Sequence, residues 1–265
     1  MIKTIKYFER SITYRDTGKG KTVVLLHGLA EDSEIWIRQE VFLQESFRLI
    51  IPDLPGSGKS QLQEDVSMEG LADSVKAILD EEGIDETIMI GHSMGGYVTL
   101  AFAEKFPQSL TALGLFHSTA YADSEEKKLT RVKNMAFIES QGTFEYLKQS
   151  TPLLFSDGFS KANSETVFEL IEKYQSFDPL ALVAYLEAMK QRPDRTVLLK
   201  EFIKPILFII GQQDNVIPFA DSMEICHMPS LSYIHILENA GHMGMIEDVQ
   251  QSNSILQNFL QTAGK

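Results

Sequence analysis

The chain is poor in cysteine and in positive charge, and it has no long apolar run. Cys226 is the single cysteine among 265 residues, so an intrachain disulfide is excluded and no cysteine-based metal site is indicated. Lysine and arginine number 24 against 37 aspartate and glutamate, and the net charge of −13 argues against nucleic acid and anionic membrane surfaces as partners. No run reaches transmembrane length, and residues 1–10 lack the apolar segment of a signal peptide. We therefore expect a cytoplasmic protein with no membrane span, and its oligomeric state stays open.

Short apolar runs alternate with helical patterns along most of the chain. A fully apolar run such as Val23–Leu26 is typical of a buried central strand. Strands are predicted at 2–8 and 11–16, as a hairpin, and at 23–26, 48–51, 87–90, 110–116, 206–210 and 233–237; helices are predicted at 67–82, 97–106 and 248–260. Apolar strands that alternate with helices predict an α/β fold with a parallel sheet covered on both faces.

One stretch breaks this alternation between residues 120 and 200. Helices are predicted within it at 124–140, 143–149, 160–174 and 179–191, and no convincing strand pattern interrupts them. We interpret residues 120–200, hereafter the cap segment, as a helical insertion in a core formed by residues 1–119 and 201–265. Most of its large apolar residues are expected to form its own core, and a minority to line a pocket beneath it.

The most informative motif is Gly91-His92-Ser93-Met94-Gly95-Gly96, which lies between a predicted strand and a predicted helix. A serine at such a turn is held in strained backbone geometry, with its hydroxyl exposed above a helix N-terminus. Glycines flank it because larger side chains would collide across the turn. The positive end of the helix dipole then favours the negative charge that develops during acyl transfer. The motif predicts Ser93 as a nucleophile; the alternative is a glycine-rich turn with an incidental serine.

A serine nucleophile needs a base, and the base needs an acid that orients it. Asp214 follows the apolar run 206–210, so it lies just past a strand end, where sheet proteins of this type place catalytic groups. His242 follows the next predicted strand and completes the chain order serine, acid, histidine. We predict these two as acid and base, rather than as a turn-capping aspartate and a surface histidine. The remaining histidines fit the role of base less well: His27, His92, His117, His227 and His235.

An oxyanion hole requires two backbone N–H groups that point to one position. Met94, the residue after the nucleophile, is predicted to supply one of them. The loop His27-Gly28-Leu29-Ala30 follows the strand at 23–26, and its glycine allows a sharp turn that would direct the Leu29 N–H to the site. The alternative for this loop is an ordinary turn at the end of a strand.

A second glycine-rich segment, Pro55-Gly56-Ser57-Gly58-Lys59-Ser60, ends like a phosphate-binding loop. That motif needs a glycine where Asp53 stands, so we expect no nucleotide site and interpret the segment as a structural turn. No cluster of histidine and carboxylate residues has the spacing of metal ligands on a helix, and we expect no metal.

Together these segments resemble the α/β-hydrolase fold superfamily. The matching segments span nearly the whole chain in the order of the superfamily: His27-Gly28-Leu29, Asp53–Gly58, Gly91–Gly96, Gly211–Asp214 and Gly241-His242. The resemblance implies a mainly parallel eight-stranded sheet, a helical cap over the site and no cofactor. Its implied site residues are the nucleophile Ser93, the base His242, the acid Asp214, and the oxyanion donors Leu29 and Met94. Haloalkane dehalogenases and epoxide hydrolases of this fold have aspartate at the elbow, so the serine favours esterases, monoacylglycerol lipases and enol-lactonases.

Three functions stay open at this point. The first, which we favour, is hydrolysis of a carboxylic ester of a small to medium, largely apolar small-molecule substrate. The second is a lactonase, thioesterase or carbon–carbon bond hydrolase with the same triad. A basic residue that faces Ser93 would favour an anionic substrate, although solvated helix faces are the simpler interpretation of the candidates Arg131, Lys133, Arg192 and Arg195. The third is a non-enzymatic sensor that binds a small ligand in the pocket.

Overall fold

The computed structural model describes residues 1–263 as one mainly parallel sheet flanked by helices. Its strands are β1 Ile2–Tyr7, β2 Arg10–Thr17, β3 Thr22–Leu26, β4 Arg48–Pro52, β5 Thr87–His92, β6 Leu110–Phe116, β7 Ile206–Gly211 and β8 Ser232–Leu237. They lie in the order β1-β2-β4-β3-β5-β6-β7-β8, in which β2 runs antiparallel to β1 and β4 and the other neighbours run parallel. The predicted α/β fold with a mainly parallel eight-stranded sheet is confirmed.

Twelve α-helices flank the sheet or form the cap segment in the part of the chain that the structure describes, and five of them begin at a side-chain cap. They are α1 Ile37–Leu43, α2 Met68–Glu81, α3 Met94–Lys105, α4 Glu125–Gln141, α5 Thr143–Ser150, α6 Asp157–Ala162, α7 Ser164–Tyr174, α8 Pro179–Gln191, α9 Thr196–Glu201, α10 Phe219–Ile225, α11 Gly244–Glu247 and α12 Val249–Thr262. Ser67 accepts the Gly70 N–H at the start of α2, and Ser124 accepts the Lys127 N–H at the start of α4. Within residues 1–263, no helix has the length and apolar character needed to cross a membrane.

The long helices agree with the sequence predictions better than the short ones do. Helices α1, α9, α10 and α11 have four to seven residues and were not predicted, because so few turns give no readable periodicity. The helix predicted at 160–174 is two helices, α6 and α7, because Asn163 between them has a non-helical backbone with φ −130° and ψ 42°. The Asn163 side-chain amide donates to the Phe159 carbonyl, which ends α6.

The central strands bring one set of loops to the same edge of the sheet. Every residue of β5 and β7 is buried, whereas β8 at the sheet edge is half-buried over most of its length. Because β3, β5, β6, β7 and β8 run parallel, the loops at their carboxyl ends meet at one edge. That edge is where the sequence predicts the site.

The cap segment packs over this edge. It contains α4 to α8 and most of α9, and its two ends are joined where the Arg195 N–H donates to the Ala120 carbonyl at 2.8 Å. The Tyr174 hydroxyl of α7 donates to Asp32 at 2.9 Å, so the segment is also tied to the loop after β3. On this basis we propose the division into a core of residues 1–119 and 201–265 with the cap segment between them. Residues 264 and 265 lie outside the described residues.

The turn between β5 and α3 leaves no room for larger side chains. Ser93 has φ 51° and ψ −116°, a left-handed conformation that a non-glycine residue adopts only when the surroundings hold it. A Cβ on Gly91 would collide with the Gly95 carbonyl, and a Cβ on Gly95 would lie 2.5 Å from the Leu26 carbonyl oxygen. Both glycines are therefore required by close backbone contacts.

Gly91→Ala should lower the free energy of unfolding by about 1–3 kcal/mol, because the added methyl group meets backbone that cannot move aside. Gly158 in α6 supplies the control, since nothing lies within 4 Å of a Cβ added there. Gly158→Ala should leave stability unchanged or raise it by about 0.5–1 kcal/mol. Urea unfolding followed by circular dichroism measures both variants, and equal stability of the two would contradict the steric argument.

Candidate active site

Ser93 meets His242 across the loops at the sheet edge. The Ser93 Oγ lies 2.8 Å from His242 Nε2. The Ser93 N–H donates to the Phe116 carbonyl at 3.0 Å, and the Ser118 hydroxyl donates to the Ser93 carbonyl at 2.7 Å. Both backbone polar groups of the serine are thus held by the end of β6 and the residues after it. This anchoring fixes the position of the hydroxyl.

Asp214 orients the His242 ring from the loop after β7. The His242 Nδ1–H donates to Asp214 Oδ2 at 2.7 Å. The second oxygen, Oδ1, accepts the backbone N–H groups of Val216 at 2.7 Å and Ile217 at 2.9 Å. Burial raises the pKa of Asp214, but the charge and hydrogen bond of His242 outweigh burial and hold that pKa at about 2. The side chain is therefore a carboxylate that favours the proton on Nδ1.

The structure brings the three predicted triad residues into one hydrogen-bonded chain. They come from the loops after β5, β7 and β8. With a proton on Nδ1, the Nε2 atom of His242 is free to accept the hydroxyl proton of Ser93. The arrangement can remove that proton while the serine attacks a carbonyl, and can return it to a leaving group.

The two predicted oxyanion donors lie on adjacent loops. The Met94 N–H belongs to the first turn of α3, where helix N–H groups have no partner within the helix. Leu29, in the loop after β3, lines the cavity above Ser93. The close approach of Gly95 to the Leu26 carbonyl places the start of α3 against the end of β3. The loops that carry Leu29 and Met94 therefore lie side by side.

His27 and His117, two buried histidines outside the triad, hold loops at this edge of the sheet in place. His27 Nε2 accepts the Leu54 N–H at 2.9 Å, and its Nδ1–H donates to the Gly28 carbonyl at 2.8 Å. His117 Nδ1 accepts the Gly211 N–H at 3.0 Å, at the end of β7. Burial lowers the pKa of His117 to about 3, so this ring is neutral. Sequence reasoning missed both roles, for which the only signal was their position at the ends of predicted strands.

A third buried histidine outside the triad, His92, pairs with Glu31 beside the triad. Sequence reasoning missed this contact as well. The Glu31 carboxylate lies 3.1 Å from His92 Nδ1, and both side chains are buried. In the sequence, His92 is one of five histidines that fit the role of base less well than His242, and Glu31 is one of many acidic residues. Its burial depends on contacts between distant segments, which no local pattern reveals.

A cavity of about 810 Å³ opens above Ser93 and is bounded by the cap segment on its other side. Apolar residues of the cap segment contribute to its wall: Tyr146, Leu147, Leu153, Leu154 and Met189. Other large residues of the segment, such as Phe155 and Phe177, pack in the hydrophobic core. A minority of the apolar cap residues therefore lines the cavity, as the sequence predicts.

Two of the four basic candidates also reach the cavity wall, with one buried aspartate between them. Arg192 Nη1 donates to Asp123 Oδ1 at 2.8 Å, and Arg131 donates to both oxygens of the same carboxylate. The guanidinium carbon of Arg192 lies 3.9 Å from the centroid of the Tyr97 ring. Burial raises the pKa of Asp123, but the two arginines outweigh burial and keep it ionised. The cluster of two guanidinium groups and one carboxylate carries one net positive charge.

The other two basic candidates lie elsewhere. Arg195 donates to Glu104 at 3.0 Å and pairs with Glu69, while Lys133 is exposed on α4. In the part of the chain that the structure describes, neither of them lines the cavity. The Arg195 charge therefore serves contacts with α2 and α3, and Lys133 faces solvent.

The segment that resembles a phosphate-binding loop is a turn organised by Asp53. Its Oδ1 accepts the Ser33 N–H and its Oδ2 the Lys59 N–H, both at 2.9 Å. A Cβ on Gly58, which has φ 50°, would collide with this carboxylate. The structure agrees with the interpretation as a structural turn. No three His, Cys, Asp or Glu side chains among residues 1–263 are grouped in a way that could hold a metal ion.

Comparisons with known proteins agree with this fold. The sequence profile of a family described as alpha/beta hydrolase fold matches residues 21–135. The chain is 27% identical to the 2-hydroxy-6-oxononadienedioate/2-hydroxy-6-oxononatrienedioate hydrolase of Paraburkholderia phymatum, over 95% of this chain and 91% of the relative. It is also 27% identical to the dihydrolipoyllysine-residue acetyltransferase component of the acetoin cleaving system of Cupriavidus necator, over 93% of this chain, and spans 65% of that relative's length.

A solved structure extends the likeness to the whole backbone. The thermophilic esterase from Thermogutta terrifontis matches with a TM-score of 0.92 at 29% identity, over 97% of this chain and 95% of that chain. The profile match, this backbone likeness and the strand order described above lead to one conclusion. The chain belongs to the α/β-hydrolase fold superfamily.

Proposed function

We propose that this chain is a serine hydrolase that cleaves a carboxylic ester of a small to medium, largely apolar substrate. The family and the names of its relatives support hydrolase activity at the coarser level. The observation that carries the serine mechanism is the hydrogen-bonded chain of Ser93, His242 and Asp214, with distances of 2.8 and 2.7 Å, at the base of a cavity. The apolar residues on the cap side of that cavity favour an ester of an apolar substrate.

In the first half-reaction the serine becomes acylated. His242 Nε2 takes the hydroxyl proton as the Ser93 Oγ attacks the ester carbonyl, and the Asp214 carboxylate stabilises the imidazolium that forms. The backbone N–H groups of Leu29 and Met94 hold the oxyanion of the tetrahedral intermediate. His242 then gives its proton to the leaving alcohol, and the acyl group stays on the serine.

In the second half-reaction a water molecule releases the acid. His242 takes a proton from the water as its oxygen attacks the acyl carbonyl, and the same N–H pair holds the new oxyanion. When that intermediate collapses, the proton passes from His242 to the Ser93 Oγ, and the carboxylic acid leaves.

The cavity supports the proposed size and polarity of the substrate. Its volume of about 810 Å³ lies in the usual range for small-molecule sites, roughly 300–1,000 Å³. Tyr146, Leu153 and Leu154 give its cap side an apolar wall. This wall favours an uncharged acyl group over a polar one.

Ser93→Ala should lower kcat for 4-nitrophenyl esters by about 10⁴ to 10⁶-fold, because the variant has no nucleophile. A chain-length series of these esters measures the effect, and circular dichroism checks the fold. Ser57→Ala is the matched control, since Ser57 is a buried serine on another turn and bonds the Tyr185 hydroxyl at 3.0 Å. It should keep the activity of the unaltered chain. Full activity of Ser93→Ala would show that the nucleophile is wrongly assigned.

The same triad serves lactonases, thioesterases and carbon–carbon bond hydrolases, and a sensor of this fold could retain it. A panel of esters, thioesters and lactones separates these cases when it is combined with a fluorophosphonate probe that labels active serines. Labelling of Ser93 with turnover of esters alone supports the esterase. Labelling without turnover of any member of the panel would instead favour the sensor.

One observation favours a second candidate, hydrolysis of a substrate that carries a carboxylate. Arg131 and Arg192 line the cavity and share the single Asp123 carboxylate, so this cluster carries one net positive charge, while Glu126, Asp194 and Asp221 also line the cavity. Guanidinium groups at a cavity wall can bind the carboxylate of a ligand through charge-assisted hydrogen bonds. The P. phymatum relative is named for a dioate substrate, and the T. terrifontis esterase structure has malate bound. A carbon–carbon bond hydrolase acting on such an anion would use the same triad.

Arg131→Gln decides between an apolar and an anionic substrate. The two probes are the 4-nitrophenyl monoester of succinic acid and 4-nitrophenyl 4-methylpentanoate, in which an isopropyl group replaces the carboxylate. If the natural substrate is anionic, the unaltered chain should prefer the succinate ester. The Arg131→Gln variant should then lose about tenfold or more of kcat/KM on that ester alone. Arg195→Gln is the control, because Arg195 is a buried arginine that pairs with Glu104 and Glu69 and does not line the cavity. A preference for the isopropyl ester in both chains would leave the apolar substrate as the answer.

A further inference from the structure

Glu31 and His92 are buried ionisable residues that the mechanism above does not use. Glu31 is 4% exposed and His92 is 1% exposed. Glu31 lies two residues after Leu29 in the loop that follows β3, and His92 directly precedes Ser93 at the end of β5. The pair therefore lies between the proposed oxyanion loop and the proposed nucleophile.

The contacts of His92 place a proton on both of its ring nitrogens. Nε2 lies 3.0 Å from the His242 carbonyl oxygen, which can only accept, so Nε2 must donate. Nδ1 lies 3.1 Å from Glu31 Oε2. That same oxygen accepts the Gly28 N–H at 2.6 Å, as a carboxylate oxygen does. An imidazolium ring that faces a carboxylate satisfies all three contacts.

The electrostatic balance agrees with this assignment. Burial lowers the pKa of His92, but the Glu31 carboxylate, together with the His242 carbonyl and Asp214, outweighs burial and raises that pKa. Burial raises the pKa of Glu31, but the charge and hydrogen bond of His92 outweigh burial and lower it. Both residues therefore favour their charged forms.

Other titratable groups surround the pair. The His242 ring centroid lies 5.1 Å from that of His92, and the neutral His117 ring lies 6.4 Å away. His27 faces Glu31 from the same loop, and Asp214 adds negative charge from the loop after β7. Trp36 and Phe116 pack their rings against His92, which is buried. The pair is thus a buried ionic contact next to the triad, at the wall of the cavity.

Gly28 fits between the two side chains because it has no side chain of its own. A Cβ there would lie 2.9 Å from His92 Nδ1 and 3.0 Å from Glu31 Oε2. Because Gly28 has no side chain, its N–H can reach the Glu31 carboxylate while the His92 ring packs against the same position. This contact fixes the turn immediately before Leu29.

We propose that the Glu31–His92 ion pair is a positioning device for the reaction described above, on whose assignment this inference rests. The carboxylate holds the Gly28 N–H and so directs the Leu29 N–H that follows it. The imidazolium holds the His242 carbonyl and so fixes the backbone of the base. Both residues act through Leu29 and His242, and neither is assigned contact with the reacting atoms.

A glutamine cannot replace Glu31, because one oxygen serves two donors. If the amide oxygen of the introduced glutamine occupied the position of Oε2, it would accept from Gly28 but could not hold a proton on His92 by its charge. If the amide nitrogen occupied that position, it would donate to His92 and lose the Gly28 N–H. Glu31→Gln must therefore break one of the two links.

The test combines this variant with a matched control and two readouts. Glu40→Gln is the control, since Glu40 in α1 is as buried as Glu31 and pairs with Arg15 of β2 at 2.7 Å. The first readout is the ¹⁵N NMR signature of the His92 ring between pH 6 and 9. The second is the rate at which a fluorophosphonate probe labels Ser93, together with kcat and KM for a 4-nitrophenyl ester.

In the unaltered chain, both ring nitrogens of His92 should stay protonated over this pH range. Glu31→Gln should make the ring neutral and slow both labelling and kcat by about tenfold to a hundredfold with KM little changed, because oxyanion donor and base lose their alignment. Glu40→Gln should lower stability and leave all these readouts unchanged. The double variant Glu31→Gln/His92→Gln should label as slowly as the single variant, and it remains informative if the single variant folds poorly.

A bare ring nitrogen on His92 in the unaltered chain would overturn the ion pair. Labelling of Glu31→Gln, or of the double variant, at the rate of the unaltered chain would overturn the positioning role. Failure of the unaltered chain to label at Ser93 would count against the proposed function instead, and the NMR signature would still decide whether the ion pair exists.

Discussion

The hydrogen bond between Ser93 Oγ and His242 Nε2 joins side chains 149 positions apart, and the rest of the site depends on it. The serine follows β5 and the histidine follows β8, and these strands are separated in the sheet by β6 and β7. Loops that follow strands separated by two others in the sheet can meet because the parallel strands between them end at the same edge. The register of the sheet and the strained turn at Ser93 therefore serve one contact of 2.8 Å.

Around that contact, buried polar groups fix each loop separately. Asp214 orients the ring of the base, His117 holds the end of β7, and the Glu31–His92 pair links the loop after β3 to the backbone of His242. Such groups are costly to bury unless they are paired, so each pairing also selects one loop conformation. In our account, preorganisation of the site comes from these contacts rather than from the triad alone.

Charge acts differently at long and short range in this molecule. A net charge of −13 repels an anionic substrate at a distance, although salt screens that repulsion beyond about 10 Å at 0.1 M ionic strength. The Arg131–Asp123–Arg192 cluster contributes one net positive charge to a cavity wall that Glu126, Asp194 and Asp221 also line. The two effects oppose each other, and for this reason we place the apolar ester first and the carboxylate-bearing substrate second.

The sheet and the triad could be predicted from the sequence, because each leaves a pattern within a short segment of the chain. Apolar runs mark strands such as β5, and Ser93, Asp214 and His242 each follow such a run closely. The Glu31–His92 pair could not be predicted, because its burial arises from a contact across 61 positions. Arg131 and Arg192 were among four basic candidates, but the sequence could not single them out, since their shared contact with Asp123 spans up to 69 positions. The break at Asn163 was missed for a related reason, because an asparagine inside a helical pattern reads the same whether it ends a helix or faces solvent.

The central claim is that Ser93 carries the acyl group during turnover. Rapid quenching during hydrolysis of a slowly deacylated 4-nitrophenyl ester, followed by peptide mass spectrometry, measures this directly. An acyl adduct should form on the peptide that contains Ser93, in an amount that matches the burst of 4-nitrophenol. Steady hydrolysis with no adduct, or an adduct on another residue, would contradict it.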